Sequence, residues 1–270
     1  MDILGFEKPQ GVYRRVLWDV SSLEIAVHAP VPKGKTEVVA EWGWPDERQS
    51  WTWDGWDPKN FEQMQVNIYS KLASVELFLN GRSLGKQSGL ESSRFTVCLS
   101  IFHPKLVYWL ATVANSIEMK ATYKVNFVPG NLTALGFDTK GSQVVARTFL
   151  SAGKPAALLL TSDRHAISAG DLNDLAYVRV EAIDERGVRC AQATFPVSFS
   201  LIGSGASLEA VANGDPRAVQ SVATRSVGLW RGTALAIVRP VPGQQLSGKV
   251  TLLAEGNGLR GEVEIRLERL

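Results

Sequence analysis

Cysteine, histidine and methionine are scarce in this chain: two, three and three residues among 270. Cys98 and Cys190 lie far apart without metal-type spacing, so a disulfide framework and a zinc site both fail for want of ligands, and the thiols read as structural. His28, His103 and His165 fall on unrelated segments with no His-x-x-x-His pair, which leaves neither a metal site nor a catalytic triad. There is no excess of charge: 29 basic against 27 acidic side chains give a net +2. Without a broad positive field, neither nucleic acid nor an anionic lipid surface is an expected partner. Long apolar runs are missing too. The most apolar stretch, residues 95–119, is broken by His103, Pro104, Lys105, Asn115 and Glu118, short of the ~18 residues a membrane span needs. The opening Met-Asp-Ile-Leu-Gly-Phe-Glu-Lys-Pro lacks the basic and apolar regions of a signal peptide, and the compartment stays open. Phosphate cradles fail as well: Gly203-Ser204-Gly205 meets Leu208 where a third glycine would stand, and no Walker lysine follows a glycine-rich turn. No cofactor and no metal are expected.

What is present is ordinary globular composition, 45% hydrophobic and 21% charged with 24 glycines and 12 prolines, and a length that suits about two domains. Beyond residue 157 the hydrophobic period is two, interrupted by regular turn signals, which marks short strands. Residues 177–183 alternate around Val178, Val180 and Ala182 before the turn Asp184-Glu185-Arg186-Gly187. Val197, Phe199 and Leu201 alternate before Gly203-Ser204-Gly205, and residues 235–238, 250–254 and 263–267 continue the pattern. Roughly seven such strands suit an immunoglobulin-like sandwich. Upstream, Val75-Glu76-Leu77-Phe78-Leu79 runs into Asn80-Gly81, the dipeptide best suited to a type I′ hairpin turn. Val66, Ile68, Val75, Leu77 and Leu79 supply an inward face, with residues 23–27, Val38 and Val39 as further contributors. Gly153-Lys154-Pro155 is the best boundary between the two patterns. Only residues 9–18 read as a helix, short, with Val12, Val16 and Leu17 on one stripe.

Chemistry-bearing arrangements are few. Asp171-Leu172-Asn173-Asp174 lacks the ligand spacing, glycine and distal Glu of a calcium loop and reads as a turn before a strand. Asp46 and Glu47 are neighbours, which does not provide two carboxyls facing across a sugar at ~5 to 9 Å. The densest feature is aromatic: Trp42, Trp44, Trp51, Trp53 and Trp56 fall within fifteen residues. Flat indoles stack on sugar rings while neighbouring acids bind hydroxyls, a carbohydrate-binding reading. The same residues suit better the anchoring of a strand-poor loop onto a neighbouring domain, since Trp buries a large area.

Several of these residues together resemble a known family. The stretch Asp2-Ile3-Leu4-Gly5-Phe6-Glu7-Lys8-Pro9-Gln10, then Tyr13-Arg14, Val16-Leu17-Trp18, Val27-His28-Ala29-Pro30, Trp42-Gly43-Trp44-Pro45-Asp46-Glu47 and Ser50-Trp51-Thr52-Trp53 look like the end of the catalytic barrel and the following segment of glycoside hydrolase family 2, the β-galactosidase family. Val75-Glu76-Leu77-Phe78-Leu79-Asn80-Gly81-Arg82-Ser83-Leu84-Gly85 is similar to its first C-terminal sandwich. Pro129-Gly130-Asn131-Leu132-Thr133-Ala134, Asp171-Leu172, Val211-Ala212-Asn213-Gly214-Asp215-Pro216 and residues 235–239 carry the likeness into the last domain.

The resemblance implies an all-β chain: two tandem immunoglobulin-like β-sandwich domains preceded by a short N-terminal helix remnant. Its divisions are 1–20 as the remnant of the last barrel helix, 21–153 as the first sandwich and 154–270 as the second. Residues 95–119 read as an insertion or translated intron, since removing them joins Ser93-Arg94 to the strand-like Lys120-Ala121-Thr122-Tyr123-Lys124-Val125. The family's two catalytic glutamates lie on the barrel, so no residue here inherits a catalytic role. The implied function is a noncatalytic accessory region of a β-galactosidase-like hydrolase, with the catalytic barrel as partner in cis or in trans and glycans as a further partner. A stand-alone carbohydrate-binding module using the tryptophan cluster is the alternative, and an enzyme with an unrecognised site the third. Asn131-Leu132-Thr133 is a glycosylation sequon.

Overall fold

A computed structural model describes residues 2, 4–39, 41, 43–88, 119–241 and 248–268. Trp42, Cys98, His103 and, apart from Met119, the expected insertion at 95–119 lie outside the described residues. Among the described residues the fold is all-β with one helix, and the chain divides into two compact units.

One unit comprises Pro9–Gln49 and Trp56–Phe149. Its helix α1 is Pro9–Leu17, and its strands are β1 Leu23–His28, β2 Glu47–Arg48, β3 Met64–Ser70, β4 Ser74–Leu79, β5 Arg82–Ser88, β6 Lys120–Val125, β7 Asn131–Phe137 and β8 Gln143–Leu150. They form two four-stranded sheets, ordered β2-β1-β3-β6 and β5-β4-β7-β8. The alternation read from sequence holds: Ile25, Val27, Val66, Ile68, Val75, Leu77, Leu132 and Ala134 are fully buried. Asn80 and Gly81 take φ of 52° and 81°, the left-handed pair a type I′ turn requires. Tyr123 on β6 reaches the opposite sheet, donating to the carbonyls of Val75 at 3.3 Å and Gly85 at 3.1 Å. Burial, with the Glu76 charge adding to it, pushes that phenol up to about 12.

Strand β1 is buried on both faces, because α1 covers the outer one: Val12 and Val16 pack with Ala26, Tyr69 and Met119. Val38 and Val39 depart from the sequence reading. They are 91% and 41% exposed, because the loop that carries them pairs with no sheet and so has no inward face to offer. Glu24, on the helix side of β1, is 0% exposed. A buried carboxylate requires compensation, and it has Arg15 at 3.2 Å, Arg147 at 3.1 Å and the Gln49 amide donating at 3.0 Å.

The other unit comprises Met1–Lys8, Ser50–Gly55 and Leu150–Leu270. Its strands are β9 Ala157–Ser162, β10 Ala166–Ser168, β11 Ala176–Ile183, β12 Pro196–Ile202, β13 Ala206–Ala212, β14 Ser226–Gly228, β15 Thr233–Pro240, β16 Gly248–Gly256 and β17 Leu259–Glu268. A five-stranded sheet, β10-β17-β16-β12-β14, faces a four-stranded one, β13-β15-β11-β9, across a core of Val178, Val180, Val197, Phe199, Leu252 and Ile265. The two short strands β10 and β14 lift the count above the seven read from periodicity, since three-residue strands leave no alternation to detect. Where β9 approaches β17, Gly261 lets the backbones close up: a Cβ there would overlap the Leu158 carbonyl oxygen. Because backbone cannot yield as a side-chain tip can, Gly261→Ala is expected to cost about 1–3 kcal/mol, measured by urea unfolding; unchanged stability would refute the close-approach role.

Candidate functional site

Two polar constellations stand out, one in each unit. The first is centred on Glu47, which starts β2 and is 2% exposed. Its carboxylate accepts from the Trp44 indole at 2.9 Å, from the Asn67 amide, and from the Tyr69 hydroxyl at 2.8 and 2.9 Å to its two oxygens. Strand β3 supplies Asn67 and Tyr69 two residues apart, so both project to the helix side of the sheet. Asn67 is itself oriented by Thr122, whose hydroxyl donates to Asn67 Oδ1 at 2.9 Å. Tyr13 of α1 closes the cluster, edge-on to Tyr69 at 5.4 Å and tilted against Trp44 at 5.7 Å. Burial first, and the Glu47 charge second, raise the Tyr69 phenol far above its ordinary value. Both Glu47 oxygens thus accept from protein donors, with the one Tyr69 proton shared between them, an arrangement that ties β2, β3 and the Trp44 loop together. Asp46, beside it, faces Arg48 at 2.9 Å.

The second constellation surrounds the strap Ser50–Gly55. Trp51 and Trp53 are buried, 0% and 5% exposed. The strap is tied down through backbone and side chain: Ser151 Oγ donates to the Trp51 carbonyl, Gln192 donates to the Thr52 carbonyl at 3.0 Å, and the Ala152 amide donates to the Thr52 hydroxyl at 2.8 Å. Beside it lies an open pocket of about 430 Å³, lined by Thr52, Asp54, Lys154, Cys190 and Gln192 among others. Cys190 is a buried free thiol, pushed up to about 11 by burial and then by Asp184 and Asp54. At neutral pH it is protonated and a poor nucleophile. Asp184 has the opposite environment: its carboxylate accepts the amide of Gly153 at 2.8 Å, and those of Val188 and Arg186 at 2.8 and 2.9 Å, which hold it at about 2.

The five tryptophans named from the sequence are therefore differently placed. Trp51 and Trp53 belong to the strap, Trp44 is half-buried on Glu47 and Tyr13, and Trp42 lies outside the described residues. Trp56 is half-buried, edge-on to Phe127 at 6.4 Å, and donates to the Glu62 carbonyl at 3.3 Å. The Asp171 loop is a turn, with Asp171 accepting the Asn173 amide at 2.8 Å and Asp174 accepting the Ser168 amide at 2.7 Å. No group of three metal-ligating side chains occurs among the described residues. The Glu47 cluster escaped the sequence because its donors come from positions 44, 67 and 69; the alternation of polar Asn67 and Tyr69 within an apolar strand was the available signal.

The family model for glycoside hydrolase family 2 C-terminal domain 5 matches residues 158–263, and that of a domain of unknown function, DUF4982, matches residues 62–145. This chain is a glycoside hydrolase family 2 C-terminal region. The family 2 relatives are longer. The β-galactosidase BoGH2A of Bacteroides ovatus is 29% identical over 196 residues, 72% of this chain but 19% of that protein. A solved family 2 member from Bacteroides cellulosilyticus is 30% identical with a TM-score of 0.79, covering 100% of this chain and 31% of its own. A β-glycosidase from Bacteroides vulgatus, 20% identical with a TM-score of 0.69 over 99% of this chain and 27% of its own, shares the fold.

The low value of the Asp184 carboxyl fixes a pH dependence. Its folded value, about 2, lies below the roughly 3.9 of an unfolded aspartate, so its stabilisation is complete above about pH 4 and disappears as pH falls through about 2. Asp184→Asn is expected to lower stability by about 2 kcal/mol at neutral pH. Denaturant unfolding across pH should show the gap to the parent protein narrowing in that acid window; a pH-independent gap would remove the carboxylate as the cause.

Proposed function

We propose that this chain forms the noncatalytic C-terminal sandwiches of a β-galactosidase-like hydrolase acting on terminal β-galactosides, with a catalytic barrel as its partner. The observation that carries this is the correspondence of the whole chain to under a third of a family 2 structure, together with a β-galactosidase among its relatives. The Glu47 cluster supports it, since a carboxylate 2% exposed and held by Trp44, Asn67 and Tyr69 is closed to a sugar. Hydrolysis of a chromogenic β-galactoside is the test. The purified 270-residue chain should be inactive alone and should raise the activity of a separately produced barrel on mixing. Turnover by the chain alone would overturn the reading.

Trp44, Trp51, Trp53 and Trp56, on the same reading, anchor the chain rather than stack on sugars. Burial of Trp51 and Trp53 and the half-burial of Trp44 and Trp56 favour this role. A glycan-binding function would fall to whatever aromatic face is open, and Trp51 offers none. Trp51→Ala is expected to cost about 3–5 kcal/mol, the range for emptying a buried aromatic site, read by urea unfolding. Full stability with loss of retention on immobilised glycans would reverse the assignment.

A further inference from the structure

Three Asn-Gly dipeptides, Asn80-Gly81, Asn213-Gly214 and Asn257-Gly258, occur in this chain, and the structure treats them differently. Asn-Gly is the sequence most open to spontaneous deamidation, because glycine leaves the following backbone nitrogen unhindered. Reaction requires the Asn carboxamide to swing onto that nitrogen. At Asn80 the carboxamide is held at both ends, its Nδ2 donating to the Pro129 carbonyl at 3.1 Å and its Oδ1 accepting the Asn131 amide at 2.8 Å. Gly130 packs so closely that a Cβ there would overlap the same carboxamide. Asn213 is held likewise, Nδ2 donating to the Gly228 carbonyl at 2.8 Å and Oδ1 accepting the Asp215 amide at 3.1 Å.

Asn257 has neither restraint. It sits exposed at the tip of the β16–β17 hairpin with φ of 53°, and its carboxamide makes no hydrogen bond among the described residues. Nothing within 4 Å crowds Gly258. We propose that Asn257 is a site of spontaneous modification, cyclising onto Gly258 while Asn80 and Asn213 are protected. The Gly258 backbone nitrogen attacks Asn257 Cγ. The new N–C bond forms as the carboxamide C–N bond breaks, the amide proton leaves with the departing nitrogen, and ammonia is released. Water then opens the succinimide at either carbonyl to give isoaspartate or aspartate. Isoaspartate adds a backbone carbon to a two-residue turn and so displaces the Gly256–Leu259 pairing that closes the hairpin. Either product places a negative charge where there was none.

The three sites fall on separate tryptic peptides, 72–82, 190–217 and 250–260, so one experiment reads all of them. The folded chain is incubated at mildly alkaline pH, digested, and the amide-to-acid mass gain followed by mass spectrometry, with isoaspartate identified by fragmentation. Peptide 250–260 is expected to convert on the order of tenfold faster than the other two, the factor set by two side-chain hydrogen bonds that must first open. In urea, where the restraints on Asn80 and Asn213 are gone, the three rates should converge. Equal rates in the folded chain, or no conversion at 250–260, would overturn the proposal.

Discussion

A carboxylate removed from water must be met by donors or by opposite charge, and three such groups organise the irregular parts of this chain. Glu24 is matched by Arg15 of the helix, Arg147 of β8 and Gln49. That places a helix residue, a strand residue and a loop residue around one point, so α1 is held over β1 by charge as well as by Val12 and Val16. Glu47 is matched, among the described residues, by neutral donors, Trp44, Asn67 and Tyr69, which fixes the two-residue strand β2 and the indole before it. Asp184 is matched by backbone amides and thereby shapes the turn after β11 and the approach of Gly153. Removing one partner from such a group leaves a buried charge uncompensated, a larger penalty than the loss of one contact.

The same economy explains why these constellations read as architecture. In each, the carboxylate already faces protein donors or cations, and the thiol beside Asp184 is protonated at neutral pH because burial disfavours its charge. The chain spans 19% of one matched relative and 31% of another.

Turn chemistry carries a second theme. Asn80 and Asn257 both adopt φ near 50° before a glycine, because a short polar side chain tolerates the left-handed region where a larger one does not. The local conformation is the same at both hairpins. The surroundings differ, with a neighbouring Pro-Gly loop clasping one carboxamide and open solvent around the other.

The sequence by itself determined the local elements: the hairpin at Asn80-Gly81, the alternation of Val178, Val180 and Ala182, and the stripe of Val12 and Val16. These depend on periods of two and 3.6 and on single-residue φ preferences, all of which act over a few positions. It also carried the family resemblance, through runs such as Val75 to Gly85 that the sandwich fold retains. What only the tertiary structure decided was where the intervening segments go. Nothing in the local pattern shows that Ser50–Gly55 packs with strands that begin a hundred residues later, or that Glu47 is met from positions 67 and 69. Those placements follow from which buried donors, acceptors and indole-sized spaces remain once the sheets have formed. A partner set of that kind is a property of the folded surface, and it leaves no periodic trace in the chain.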